Sequence, residues 1–296
     1  MVDRTMKGLY PILSMPFTDD GMIDEEDLRR EVDFCISKGS DGLGIAMASE
    51  ITKLSEDERD LATKTVVEQT NGRAKIVVNT GAPSTSLALT YSTRAVELGA
   101  DAVMVIPPVG ISSEATRSYY REIAKAVPVP IFIQDIMFSP VPPGLAAQIS
   151  EDSENACYAK VETHPTPPRV TEAVDKAKGK LIVFGGAGGD FLIEELARGS
   201  VGTMPGAAFP EAFRRALDLH FSGDREGAAK EFWEYSALLR NLGQPQLQSS
   251  LTKEVLRLRG VFKTNNVRRP HNIPDPYALK EIANLVDELE LGQFHA

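Results

Sequence analysis

The sequence predicts a (β/α)8 TIM barrel with a C-terminal three-helix appendage, and three observations carry the prediction. Apolar runs of strand character recur eight times at intervals of 20 to 35 residues, helical stretches separate them, and the strand pattern stops after residue 222. Strands that alternate with helices form right-handed βαβ units on a parallel sheet. Eight such units in succession are what closure into a barrel requires. The chain therefore divides into a catalytic barrel, residues 1–222, and a helical appendage packed on it, residues 223–296.

Gly8 to Phe17 (GLYPILSMPF) reads as the first strand, and Asp24 to Lys38 as a helix with an acidic first turn, ended by Gly39. Gly42 to Ala48 is the second strand. Ser55-Glu56-Asp57-Glu58 is a capping box that opens a helix reaching about Thr70. Lys75 to Thr80 is the third strand, followed by a helix over Ser84 to Leu98 and a stop at Gly99-Ala100. Ala102 to Ile106 is the fourth, followed by a helix through Tyr119 and Tyr120, which read as packing or subunit-contact residues. Pro130 to Asp135 is the fifth; a Pro-rich loop and a short helix then lead to the sixth, Tyr158 to Glu162. Leu181 to Gly185 and Val201 to Met204 complete the eight. Beyond them, 224–241, 246–259 and 276–291 read as three helices, with Trp233 in their core.

A doubly wound open sheet would carry a glycine-rich phosphate loop after its first strand, where this chain has Met15-Pro16-Phe17-Thr18. Gly185-Gly186-Ala187-Gly188-Gly189 follows the seventh strand instead, where glycines let backbone approach a small ligand at the catalytic face of a barrel. The net charge of −10 argues against nucleic acid or an anionic membrane as partner. No run nears the roughly 18 apolar residues of a membrane span, and the first residues lack an apolar signal core. Cys35 and Cys157 have no metal-ligand spacing, which suggests a reduced, cytoplasmic protein. His164, His220, His271 and His295 are scattered, so no protein-held metal is expected.

The chemistry is expected at the C-terminal ends of the strands. Those ends hold Ser49-Glu50, Thr80-Gly81, Pro107-Pro108, Gln134-Asp135, Lys160 with Glu162, and the glycine cluster. Lysine is a poor strand former and is seldom buried without a reason. Lys160 shares a strand face with Tyr158 and Glu162, since side chains alternate along a strand. Burial disfavours the charged form of an amine, and the free amine is the form that attacks a carbonyl. The competing reading is a solvated strand on which Lys160 and Glu162 form a structural salt bridge.

The strand order, the lysine on strand six, the SEITKLSEDER stretch from Ser49 to Arg59, the glycine turn after strand seven and the C-terminal helices resemble the dihydrodipicolinate synthase/N-acetylneuraminate lyase family of class I Schiff-base lyases. The resemblance covers essentially the whole chain. It implies that Lys160 forms an imine with a 2-keto acid, with no metal or organic cofactor, and that the protein assembles as a homotetramer. Ala48-Ser49-Glu50 falls where the family has Thr-Gly-Glu, which places Ser49 and nearby amides at the substrate carboxylate. Glu50 reads as the holder of that loop. The family's strand-five tyrosine is Gln134 here, its strand-four tyrosine is Val109, and its threonine pair is Met47-Ala48.

Gln134-Asp135 together with Lys160-Val161-Glu162-Thr163 resembles the L-2-keto-3-deoxyarabonate dehydratase branch. The implied reaction is dehydration of a 2-keto-3-deoxy sugar acid to a semialdehyde. A pyruvate-dependent aldolase, a dihydrodipicolinate synthase-like condensation and a non-catalytic keto-acid sensor are the alternatives. The candidate catalytic residues are Lys160, Glu162 and Gln134; the candidate substrate-binding residues are Ala48, Ser49, Glu50, Asp135, Gly186 and Gly188. Glu162 either acts as acid and base or only orients the lysine, and His164 is a further candidate proton shuttle.

Overall fold

The computed structural model describes residues 2–295. Its strands are β1 (Gly8–Leu9), β2 (Gly42–Ile45), β3 (Lys75–Asn79), β4 (Ala102–Val105), β5 (Ile131–Asp135), β6 (Tyr158–Val161), β7 (Ile182–Gly185) and β8 (Gly202–Thr203). The helices between them are α1 (Glu25–Ser37), α2 (Glu56–Thr70), α3 (Thr85–Glu97), α4 (Ser113–Ala126), α5 (Pro143–Asp152), α6 (Thr166–Ala177) and α7 (Leu192–Leu196). After β8 come α8 (Pro210–Ser222), α9 (Arg225–Trp233), α10 (Ser236–Leu242), α11 (Gln248–Leu258) and α12 (Pro276–Glu288). The strands form one eight-stranded sheet in the order β1-β8-β7-β6-β5-β4-β3-β2, the (β/α)8 barrel expected, with C-terminal helices after it.

The chain forms two compact units. The first comprises the residues up to Gly8 and Lys75–Met204; the second comprises Leu9–Ala74 and the chain from Pro205 onward. In the first unit, β3 to β8 pair in parallel, each with the next. Gln134 lies opposite Lys160, and Lys160 opposite Phe184. One face of β6 carries Ala159 and Val161; Val161 packs with Val183, Val170 and Ala173 between sheet and helix α6. The other face carries Tyr158, whose ring stacks on Phe132 at 4.6 Å and lies 6.1 Å from Phe184. Tyr158 Oη accepts a hydrogen bond from Met6 N at 3.0 Å. This apolar layer is the floor on which Lys160 stands.

The predicted strand Gly8 to Phe17 is reduced to two residues, Gly8–Leu9, plus isolated bridges. Pro11 and Pro16 have no N–H to give to a ladder. The pairing resumes at Ile12, which bridges in parallel to both Gly44 and Gly206. The predicted second strand stops at Ile45, because the chain turns into a 3-10 turn at Met47–Ser49. The Ser55 capping box forms as expected, with Ser55 Oγ accepting from Glu58 N and Glu58 Oε2 accepting from Ser55 N.

The predicted helix 224–241 is broken into α9 and α10, so four helical segments follow α8 instead of three. The break falls at Tyr235, whose ring stacks on Phe209 at 5.8 Å. Trp233, expected in the core, is 59% exposed, because α9 turns its Ala228 and Phe232 inward instead.

Candidate active site

The ends of β3, β5 and β6 bring four polar side chains into a single chain of contacts, and the turn after β7 adds a backbone N–H. Glu162, one residue beyond β6, is kept in strand register by its N–H, which donates to Asp135 O at 2.8 Å. Its carboxylate meets Lys160 Nζ at 3.1 Å through Oε1. Gln134 Nε2 donates to Glu162 Oε2 at 2.6 Å, and Ala187 N donates to Oε1 at 3.3 Å. Asn79 Nδ2 in turn donates to Gln134 Oε1 at 2.8 Å. With its oxygen occupied by Asn79, the Gln134 amide can present only N–H to Glu162, so Asn79 fixes which way Gln134 points. Lys160 and Gln134 are both buried, 4% and 0% exposed. A charged pair in such a place is stable only because every charge is answered by another polar group.

Gly186 makes the arrangement possible. A β-carbon at this position would lie 2.4 Å from Glu162 Cγ and 2.9 Å from Lys160 Cε, so only glycine lets the turn pass this close. Gly188 adopts φ +76, where a β-carbon would meet only Asp190 Oδ1 at 3.6 Å, and shapes the same turn through its backbone.

Three predicted binding residues are occupied elsewhere. Asp135 alternates with Gln134, so its carboxylate projects from the opposite face of β5. It accepts from Thr163 Oγ1 at 2.6 Å, from Val141 N at 2.9 Å and from Arg169 Nε and a terminal nitrogen at 2.8 Å each. Burial nevertheless raises its carboxyl above the usual range, against these partners. It ties β5 to α6 and is not in the lysine cluster.

Ser49 Oγ donates to Leu13 O at 2.5 Å and accepts from Ala46 N at 3.1 Å, so its proton goes to the backbone and the hydroxyl braces the turn that carries half-buried Ala48. Glu50 is buried with φ 52, and its carboxylate accepts from Lys53 Nζ at 2.9 Å, Lys253 Nζ at 2.6 Å and Arg268 N at 3.2 Å. His164 is exposed and packs edge-on against Phe191 at 5.9 Å. Tyr119 and Tyr120 are buried and bond backbone: Tyr119 Oη with Ala82, and Tyr120 Oη donating to Val105 O.

The sequence reading missed Asn79, having taken Thr80-Gly81 as the functional end of strand three. Its signal was an amide at the close of an otherwise apolar strand, KIVVN. Among the described residues, no group of three or more His, Cys, Asp or Glu side chains is placed to hold a metal ion.

The model of the dihydrodipicolinate synthetase family matches residues 5–288. The chain belongs to this family. The L-2-keto-3-deoxyarabonate dehydratase of Azospirillum brasilense is 30% identical over 98% of this chain and 97% of that protein. The 4-hydroxy-tetrahydrodipicolinate synthase of Pelobacter propionicus is also 30% identical, over 76% of this chain and 79% of its own length. The crystal structure of dihydrodipicolinate synthase from Rhodopseudomonas palustris superposes with a TM-score of 0.90 at 26% identity, covering 97% of this chain and 99% of that one. Relatives of this family thus include a dehydratase and a synthase, and the chain is a lyase-family enzyme on the strength of the match.

Proposed function

We propose that the enzyme dehydrates a 2-keto-3-deoxy sugar acid, of the L-2-keto-3-deoxyarabonate kind, to a semialdehyde through an imine on Lys160. The observation that carries the reading is the carboxylate of Glu162, set 3.1 Å from the Lys160 amine where Gln134 supplies an amide N–H and no hydroxyl. The full-length likeness to a protein named as such a dehydratase supports it.

Lys160 attacks the C2 carbonyl, water leaves, and the protonated imine draws electrons from C3. Glu162 takes a C3 proton and returns it to the departing C4 hydroxyl, so C3–H and C4–O break while the C3–C4 double bond forms and water departs. A carboxylate can hold the proton between these two steps; Gln134 cannot titrate near neutral pH and serves to orient Glu162. Isomerisation then moves one C5 hydrogen and the proton of the C5 hydroxyl to C3 and C4, leaving C5 as the aldehyde, and water at C2 releases the product from Lys160. The electron sink is the imine itself, so the reaction calls for no metal or organic cofactor. Retro-aldol cleavage would instead need a base on the C4 hydroxyl, the task of the tyrosine relay that Gln134 and Val109 replace.

The test is product identification. A 2-keto-3-deoxypentonate should yield a semialdehyde that an aldehyde dehydrogenase oxidises to 2-ketoglutarate, while pyruvate with borohydride should modify Lys160 alone. Lys160→Ala should lose both. Pyruvate and glycolaldehyde as products would make the enzyme an aldolase, and turnover by Lys160→Ala would remove the imine.

A further inference from the structure

Behind the glycine turn, on the far side of β7 from Lys160, lies a carboxyl group that the proposed mechanism does not use. Glu195 sits in α7 and is 1% exposed. Its Oε1 accepts from Thr166 Oγ1 at 2.5 Å, at the first residue of α6, four positions after Glu162. Its Oε2 has no hydrogen-bond partner and presses on Gly185, where a β-carbon would lie only 1.8 Å away. Gly185 immediately precedes Gly186, and Gly186 is the residue in contact with Glu162 and Lys160. One buried side chain thus touches both segments that carry the lysine cluster.

We infer that Glu195 is a positioning residue that joins the segment after β6 to the glycine turn after β7 and so fixes Glu162 against Lys160. The inference rests on the reading of Lys160 and Glu162 given above and extends it to a residue outside the site.

The geometry suits an undissociated acid. An ionised carboxylate asks for several donors, and this one has Thr166 alone. Burial, the largest influence, pushes the Glu195 carboxyl up to about 8, with Thr166 acting in the opposite sense. The charged groups that bear on it most are Glu194 on its own helix, Glu162 after β6 and Asp190 in the preceding turn, all acidic and all raising it further. Against it, α6 brings the Thr166 hydroxyl and β7 the Gly185 backbone. Loss of the proton would place a charge against Gly185, with Glu162 repelling it, and push the two segments apart.

The sign follows from the raised value. The carboxyl stays protonated in the folded protein while the unfolded chain has lost the proton. Its contribution is therefore full below about 4.5 and is lost as pH rises through about 8.

The experiment measures the rate of pyruvate imine trapping on Lys160, and turnover, between pH 6 and 9.5 for the full chain. Wild type should lose rate on passing pH 8. Glu195→Gln, which keeps the acceptor for Thr166 and carries no charge at any pH, should hold its neutral-pH rate and lack that fall. Thr166→Val, which removes the hydrogen bond that lowers the Glu195 value, should cut the neutral-pH rate several-fold and move the fall to higher pH. An alkaline fall in Glu195→Gln like that of wild type, or a Thr166→Val profile superimposable on wild type, would overturn the inference. Wild type that forms no imine at any pH would instead overturn the reading of Lys160, so the two failures are distinguishable.

Discussion

A carboxylate that meets an amine at 3.1 Å, a glutamine N–H at 2.6 Å and a backbone N–H at 3.3 Å is held from three directions, and Glu162 is that carboxylate. Asn79 orients the glutamine and Gly186 leaves the room, so Glu162 is placed by residues that carry no chemistry of their own. Glu162→Gln would keep the shape and lose the proton-accepting group. General acid–base assistance is worth about 10²–10⁴-fold, and turnover should fall by roughly that factor while borohydride trapping of pyruvate still reaches completion. Trapping lost in parallel with turnover would assign Glu162 to imine formation instead of elimination.

At the scale of elements, short strands leave the turns after them to be fixed by side chains from elsewhere in the same unit. The turn after β2 is an example. Lys253, in α11, is fully buried; it donates to Glu50 at 2.6 Å and to Asn266 O at 2.7 Å, with its ammonium 4.5 Å from the centroid of the Phe17 ring. Burial is the largest influence on Lys253 and lowers it to about 8, with Glu50 acting against the fall. Removing one member of a buried pair leaves an uncompensated charge and costs about 3–5 kcal/mol. Lys253→Met should therefore lower the melting temperature by on the order of 10 °C, and adding Glu50→Gln should recover part of the loss. A melting temperature within about 2 °C of wild type would show that Lys53 and Arg268 alone suffice for Glu50. The C-terminal helices are in this sense part of what holds the strand-two turn.

At the scale of the molecule, the net charge of −10 favours repulsion between copies at low ionic strength, and exposed apolar side chains favour association. Val109 and Phe138, on loops after β4 and β5, are 68% and 52% exposed, and Ile273 and Tyr277 are 80% exposed. We propose a homotetramer, as the family resemblance implies. Light scattering should return four times the chain mass at micromolar concentration, with the larger species favoured by salt; a monomer at every ionic strength would contradict it. Among the described residues, no helix is long and apolar enough to cross a membrane.

The sequence by itself determined the eight-fold βα alternation, the face shared by Tyr158, Lys160 and Glu162, and the glycine turn beside them. These are periodic or local properties, written in the order of apolar residues and in the one lysine set within a strand. It also put Gln134 and Lys160 on neighbouring strands, because parallel neighbours in a barrel follow chain order, while the register that sets them opposite each other came from the structure. Residue type suggested ligand binding for Asp135 and Ser49, and the sequence could not show the hydrogen-bond partners distant along the chain, Arg169 and Leu13, that hold these side chains in the fold. It overlooked Asn79 and Glu195 altogether. Their roles depend on which polar atoms meet once the strands pair and α6 packs on α7, and no pattern along the chain encodes that meeting. Tertiary structure alone decided which carboxylates face the lysine, which tie sheet to helix, and which stay buried without a second partner.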